Sequence, residues 1–405
     1  MELTVTGLNK WRRSAAGAAE ATQVPLLRDV SLRAQSGRLT MVAGPEGAGK
    51  TLLLRCLAGL EELDSGEIRL DGRRIDRLPV PERSMAMIGH DFALWPHLSV
   101  SRQIAAGVLF RQGAGGRWWK GKLRADVEDQ VRLFAEACGV ERLLERYPQE
   151  LAPPEAFRVA LARSFASRPR VLLLDDPLTS FPTGTRQELV TLVRRLLDEM
   201  DLTPVVIWSV ADAMTALALA DEVVYLSEGQ VLQGGAPEAL YTDPRHLAVA
   251  RGFSPLPPNV LEARAVSSPC RSLRVPALGE WELPLAEGEA AGVMRWMAGE
   301  GKGRDVVLVC VRPEQILLGS DPGGFPTGSI VTPEFKVAAI QFQGWYKLVE
   351  LAPAICSSDT ARICIRAVVP ATLQLQIGDQ YFLAWSPGHQ YLFDPVSERR
   401  IDKQT

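Results

Sequence analysis

Eight consecutive residues carry the most specific chemistry in the chain: Gly44-Pro45-Glu46-Gly47-Ala48-Gly49-Lys50-Thr51. Their spacing is G-x4-G-K-T. Glycines at these positions let the backbone turn its N–H groups inward around phosphate oxygens. Lys50 would bring a cation to the β and γ phosphates, and the Thr51 hydroxyl would help to hold Mg²⁺. Such a site needs a carboxylate from a distant strand. Asp175, at the end of the apolar run Val171-Leu172-Leu173-Leu174, has the right setting. Taken alone, Asp175-Asp176 also reads as a solvated helix cap.

The elements that must position these groups are legible around them. Leu39-Thr40-Met41-Val42-Ala43 is an apolar run that ends in the glycine loop, and Leu52 to Leu60 reads as a helix. Strand, glycine loop and helix in that order are the context a phosphate loop requires. Pro204 to Trp208 forms another apolar run. Continuous runs of this kind predict strands buried on both faces of a parallel α/β sheet. From about 98 to 165 the pattern is helical, with apolar spacing over Asp126 to Ala137 and Pro154 to Ala166. Glu228-Gly229 predicts a hairpin turn between Val223-Val224-Tyr225-Leu226 and Gln230-Val231-Leu232.

Near residue 250 the texture changes. Ser254-Pro255-Leu256-Pro257-Pro258 reads as a linker. Beyond it, Asp305 to Val311, Phe335 to Phe342, Ala361 to Val369 and Gln380 to Trp385 predict short strands and an all-β barrel or sandwich. Residues 13 to 22, rich in Ala and Gly, read as a loop.

The bulk numbers bound the remaining possibilities. A chain of 405 residues predicts two or three domains. A net charge of −3 gives no footprint for nucleic acid. Six scattered cysteines (56, 138, 270, 310, 356, 364) without a CxxC pair predict free thiols, and four dispersed histidines predict no metal cluster. The opening Met-Glu-Leu-Thr-Val lacks a basic n-region and an apolar h-region, so no signal peptide is expected. The longest apolar stretch, Val205 to Ala220, is broken by Asp212, so no membrane span is expected.

In this order the residues resemble the nucleotide-binding subunit of an ABC transporter. The likeness continues through Gly59-Leu60-Glu61, Asp64-Ser65-Gly66-Glu67-Ile68, Phe92 to Val100, Tyr147-Pro148-Gln149-Glu150-Leu151, Arg158 to Arg163 and Leu172 to Leu178. The C-terminal part is similar to the accessory β-domain of importer ATPases for sugars, polyamines, iron, sulfate or molybdate. Val311-Arg312-Pro313-Glu314, Gly378-Asp379, Ser386-Pro387 and Leu392-Phe393-Asp394 carry that likeness. The resemblance implies an α/β P-loop NTPase, a RecA-like core with a helical insert, over residues 1–247. A small all-β domain of OB-like or TOBE type would follow over 248–405.

It further implies ATP and Mg²⁺ at Gly44 to Leu52 and Asp175. Transmembrane permease subunits, a second nucleotide-binding subunit and, indirectly, an extracytoplasmic solute-binding protein would be the partners. The expected location is the cytoplasmic face of the membrane, peripherally bound. Trp11 stands nearest the position of the adenine-stacking aromatic, although a plain surface tryptophan fits equally. Phe92, Leu94 and Trp95 would contact the membrane domain or brace the helical insert. Trp118-Trp119 would touch the membrane domain or the lipid interface, or pack locally.

Against the family pattern, the catalytic positions depart together. The Q-loop glutamine aligns with His90. The LSGGQ signature aligns with Leu151-Ala152-Pro153-Pro154-Glu155, which has no hydroxyl, lacks two N–H groups and places a carboxylate toward a phosphate. The catalytic glutamate aligns with Asp176, one methylene shorter. The D-loop SALD aligns with Thr179-Ser180-Phe181-Pro182, and Ala211 replaces the switch histidine. Nucleotide binding with weak or absent hydrolysis is therefore expected, as an importer subunit or as a regulatory pseudo-ATPase.

Overall fold

A computed structural model of the chain describes residues 1–12, 24–112, 123–199, 203–266, 270–354 and 364–401. The 13 to 22 segment, Trp118-Trp119 and Cys356 lie outside the described residues. Two compact units are present, Met1–Ala239 and Leu240–Thr405. The proline-rich stretch at 254 to 258 falls within the second.

The first unit is built on a six-stranded sheet. Leu39–Ala43 pairs in parallel with Glu222–Ser227 on one side and Val205–Val210 on the other; Val171–Asp175 and then Met85–Ile88 follow, also parallel. Every residue of Leu39–Ala43, Val171–Asp175 and Val205–Val210 is buried. This is why their sequences run apolar without alternation. The hairpin expected at Glu228-Gly229 joins Glu222–Ser227 to Gln230–Gly235, antiparallel.

A second sheet, antiparallel, holds Val24–Gln35, Glu2–Arg12, Ser65–Leu70 and Arg73–Arg74 in that order. Leu3, Val5, Leu8 and Leu27 from this sheet share one core with Leu53, Leu54 and Leu57 of the helix Lys50–Ala58 and with Leu173 and Ile207 of the parallel sheet. The helix starts at Lys50 rather than at Leu52. Left-handed glycines bracket it: Gly49 precedes, and Gly59 follows and donates its N–H to the Arg55 and Cys56 carbonyls.

Between 98 and 165 the structure has the helices Val100–Arg111, Ala125–Cys138 and Pro153–Ala166. Phe157, fully buried, meets the Phe92 ring at 5.7 Å between centroids. Phe157→Ala should cost about 3–5 kcal/mol of stability through cavity formation, read as a lowered denaturant midpoint.

The second unit carries two antiparallel five-stranded sheets. One runs Trp281–Pro284, Ser272–Val275, Asn259–Ala265, Val306–Val311, Gln390–Phe393; the other runs Leu317–Gly319, Gln380–Trp385, Ile330–Phe342, Tyr346–Pro353, Ile365–Pro370. Residues from both sheets share one core, among them Val309, Phe335, Val349 and Trp385. An all-β reading of this region misses the helix Glu287–Ala298, whose buried Glu289, Gly292, Val293 and Trp296 repeat at helical spacing. Its start is held by Glu289, whose carboxylate accepts the Ala286 N–H at 2.9 Å.

The cysteines at 56, 138, 270 and 310 are buried and Cys364 is exposed. Burial pushes the Cys138 thiol up to about 12, which keeps it protonated and unreactive.

Candidate nucleotide site

The glycine loop leaves the buried strand Leu39–Ala43 at Gly44, with φ 151°. A Cβ there would sit 1.9 Å from the Leu226 carbonyl oxygen of the neighbouring strand, so only glycine fits. Gly49, φ 100°, closes the loop, and its carbonyl accepts the first helical bond from Leu53 N–H at 2.8 Å.

Lys50 is buried and folded back onto the loop. Its Nζ donates to the Gly44 carbonyl at 2.6 Å and to the Pro45 carbonyl at 2.8 Å. Desolvation lowers the ammonium's pKa, opposed by the charges of Asp176, Asp175 and Glu46. Those carbonyls hold a donor-rich side chain at the loop, with three N–H groups to redirect toward an anion.

Asp175 is brought to Thr51 across 124 residues of sequence. Thr51 Oγ1 donates to Asp175 Oδ1 at 3.0 Å, and Ser209 Oγ donates to the same oxygen at 2.8 Å. Two hydroxyls and a carboxylate from three elements thus converge, oxygen donors that suit a hard cation. The alternative of Asp175 as a solvated cap fails, because Asp175 is buried.

Asp176 follows in left-handed backbone, φ 45°, and its carboxylate accepts the Thr179 hydroxyl. Burial pushes its pKa above the ordinary 3.8; the Thr179 bond, Lys50 and Arg186 pull the other way. The folded state therefore binds the proton more tightly than the unfolded state, and this group's contribution to stability falls as pH rises through that window. If ionised Asp176 acts as base, turnover falls as pH drops through its pKa. Thr179→Val removes a bond that favours the ionised form, so the acid limb of a Lys50-dependent pH–rate profile should move upward.

Glu46, Gly47, Ala48, Gly49, Lys50, Thr51, Leu52, Asp175, Asp176 and Ala211 line one cleft of about 490 Å³. Trp11 and His90 do not line it. Trp11 pairs with Pro25 across the antiparallel sheet, its N–H donating to Asp64 Oδ2 at 2.7 Å. His90 is exposed, two residues beyond the strand Met85–Ile88. Behind Ala211 a cavity of about 20 Å³ is lined by Asp176, Thr179, Arg186 and Asp212 among others, room for about one water. Asp212 caps the next helix, accepting from Met214 N–H at 3.0 Å, and Arg186 donates to Thr215 Oγ1 at 2.8 Å.

At 152 to 155 the helix Pro153–Ala166 starts as its two prolines allow. The Glu155 carboxylate does not project outward: Oε2 accepts the Ala152 N–H at 2.8 Å. The carboxylate itself occupies the helix N-terminus, the place where an anion would bind. Nearby, Phe92 stacks on Phe181 at 6.4 Å and packs on Phe157, while Trp95 is 41% exposed with Arg163 5.0 Å from its ring centre. Phe92 therefore braces the helical segment.

Thr179, Ser209 and Arg186 were not among the expected site residues. Ser209 had a signal, a lone polar side chain in an otherwise apolar buried strand.

Residues 27–179 match the family profile described as ABC transporter. The maltose/maltodextrin import ATP-binding protein MalK of Yersinia pestis bv. Antiqua is 32% identical over 294 residues, 72% of this chain and 73% of that protein. The chain belongs to the ABC transporter family. It is similar to two further importer subunits. The sn-glycerol-3-phosphate import ATP-binding protein UgpC 2 of Agrobacterium fabrum is 29% identical over 94% of this chain and 92% of its own length. The sulfate/thiosulfate import ATP-binding protein CysA of Ralstonia nicotianae is 38% identical over 54% of this chain and 57% of its own length. In this ABC protein of the importer ATP-binding type, the glycine loop and Asp175 meet through the Thr51 hydroxyl. No helix among the described residues is long and apolar enough to cross a membrane.

Proposed function

We propose that this chain is the nucleotide-binding subunit of a solute importer, binding ATP with Mg²⁺ and turning it over slowly. The observation that carries the reading is the convergence of Thr51 and Ser209 on Asp175 beside Lys50. The Gly44 to Thr51 backbone and Lys50 would hold phosphates, and Thr51 and Asp175 would hold Mg²⁺. When bound, the metal supplies positive charge against the phosphates.

The chain's own residues supply the rest. Lys50 exchanges loop carbonyls for anionic oxygens. Asp176 accepts a proton from water, with the reach of an aspartate and with Thr179 restraining it. His90, exposed and not lining the cleft, and Ala211, without a polar side chain, add no side-chain donor there.

The relatives are named for cargo as different as maltose, sulfate and glycerol phosphate, and all are named import ATP-binding proteins, so the ATP-binding role is what is carried over. By that likeness the subunit docks on transmembrane permease subunits at the cytoplasmic face. It would pair with a second nucleotide-binding subunit and act on solute delivered by an extracytoplasmic binding protein. Glu155 closed onto Ala152 keeps a carboxylate at that helix start, in keeping with slow turnover.

Calorimetric titration of the purified chain with ATP and Mg²⁺, alongside a phosphate-release assay, tests both parts. Saturable binding with slow release is expected. Absence of binding sinks the first part, and brisk Lys50-dependent release sinks the second.

A further inference from the structure

A second cation stands beside Asp176, outside the nucleotide cleft. Arg186 sits near the start of the helix Thr183–Glu199 and is half-buried. It is not among the residues that line the cleft. It lines the small cavity behind Ala211, with Asp176, Thr179, Asp212 and Thr215.

Its guanidinium spans two segments. Nη2 donates to the Phe181 carbonyl at 3.3 Å, in the turn that follows Asp176. Nη1 donates to Thr215 Oγ1 at 2.8 Å and lies 3.7 Å from Asp212 Oδ2, just beyond Ala211. Thr215 Oγ1 donates onward to Asp212 Oδ2 at 2.8 Å, which completes the tie on that side. Asp176 and Thr179 on the first segment and Ala211 on the second all line the nucleotide cleft. Arg186 thus joins two walls of the cleft without entering it.

The tie also carries charge. Its ion-pair partner Asp212 has a side chain 56% exposed, so water screens that pair. Asp176 is faced by Lys50 from the glycine-loop helix, by Asp175 from the strand, by Thr179 from the turn and by Arg186 from Thr183–Glu199. Lys50 is bonded to two loop carbonyls and would turn to phosphate when nucleotide binds. Arg186 is the cation that stays with the carboxylate.

We propose that Arg186 is a positioning residue for Asp176: it fixes the turn that carries the carboxylate against the Ala211 segment and keeps a positive charge behind it. The proposal rests on the reading of Asp176 as the proton acceptor in turnover.

Phosphate release by the full chain, followed against pH beside calorimetry with ATP, tests it. Arg186→Gln should lower release at least about tenfold, since small displacements of a reacting group are costly. ATP affinity should be unchanged. Loss of the cation disfavours ionised Asp176, so the acid limb should move upward. Arg186→Lys keeps the charge but loses the planar fork, so its rate should fall with the acid limb unmoved. A carbon-13 NMR titration of labelled aspartate carboxyls, assigned with Asp176→Asn, reads the charge without turnover. The Asp176 midpoint should rise in Arg186→Gln and stay in Arg186→Lys.

An unmoved midpoint in Arg186→Gln would overturn the proposal. So would equal loss of rate in both variants with unmoved acid limbs, the mark of a purely structural staple. No release from the native chain, with the midpoint still raised in Arg186→Gln, would sink the turnover reading and leave the pairing of Arg186 with Asp176 standing.

Discussion

Lys50→Ala is expected to weaken ATP binding by at least about a hundredfold. A charge-assisted hydrogen bond is worth about 1.5–3 kcal/mol, and losing two phosphate contacts of that kind corresponds to two or more orders of magnitude. The side chain is already in place, pinned at 2.6 and 2.8 Å to two carbonyls of the loop it serves. Those bonds are lost as well, so the variant's stability must be followed by thermal unfolding. Lys50→Met, which keeps the aliphatic stem, should show the same loss of affinity with less cost to the fold. Calorimetry with ATP reads the effect; unchanged affinity in both variants would refute the site.

The second large effect is a gain. Asp176→Glu with Ala211→His restores a longer carboxylate and a polar group facing the cleft. General base catalysis typically contributes about 10²–10⁴-fold and a placed donor about 10²–10³-fold. The cavity of about 20 Å³ behind Ala211 gives the imidazole some room. The pair alone should yield little, because the helix starting at Pro153 still offers no N–H at 153 or 154 and keeps Glu155 on its N-terminus.

Adding Ala152→Ser, Pro153→Gly, Pro154→Gly and Glu155→Gln should release the full gain, at least about a hundredfold in phosphate release per chain. Groups that act as a unit are strongly non-additive, so neither set should approach the combined effect. If the first set alone restored fast turnover, the signature argument would be wrong. Fast turnover by the unmodified chain would remove the need for either.

The sequence showed most clearly what one side of the fold requires by itself. Leu39–Ala43, Val171–Asp175 and Val205–Val210 are buried on both faces, so their apolar runs needed no partner to be read. The antiparallel sheet of Glu2–Arg12 and its neighbours is half-exposed in places and interrupted by register shifts, which blurs the alternation. The helix Glu287–Ala298 was hidden because Gly288 and Gly292 lower its propensity, and its capping partner is an alanine without a hydroxyl.

At the site, the loop was legible because its glycines answer local backbone demands. The hydroxyls that meet the two carboxylates were not. Ser209 reaches Asp175 across 34 residues, and Thr179 touches Asp176 only because the turn after Asp175 folds back. The direction of Glu155 was also beyond the pattern. A carboxylate three residues after Ala152 says nothing of outward or inward until the backbone is known.

The Phe92 ring has a mechanical consequence. Phe92 and Ala93 both sit in left-handed backbone, φ 58° and 45°, where a non-glycine residue costs roughly 1–2 kcal/mol. Arg163 clamps both carbonyls, at 2.9 and 2.7 Å. The same ring rests on Phe157, in the first turns of the helix that follows the altered signature, and on Phe181, in the turn beyond Asp176. One wound joint therefore touches two other segments at once, the helix Pro153–Ala166 and the turn at Phe181. A displacement at residues 91 to 95 would press on both through direct ring contacts that do not run through the nucleotide cleft.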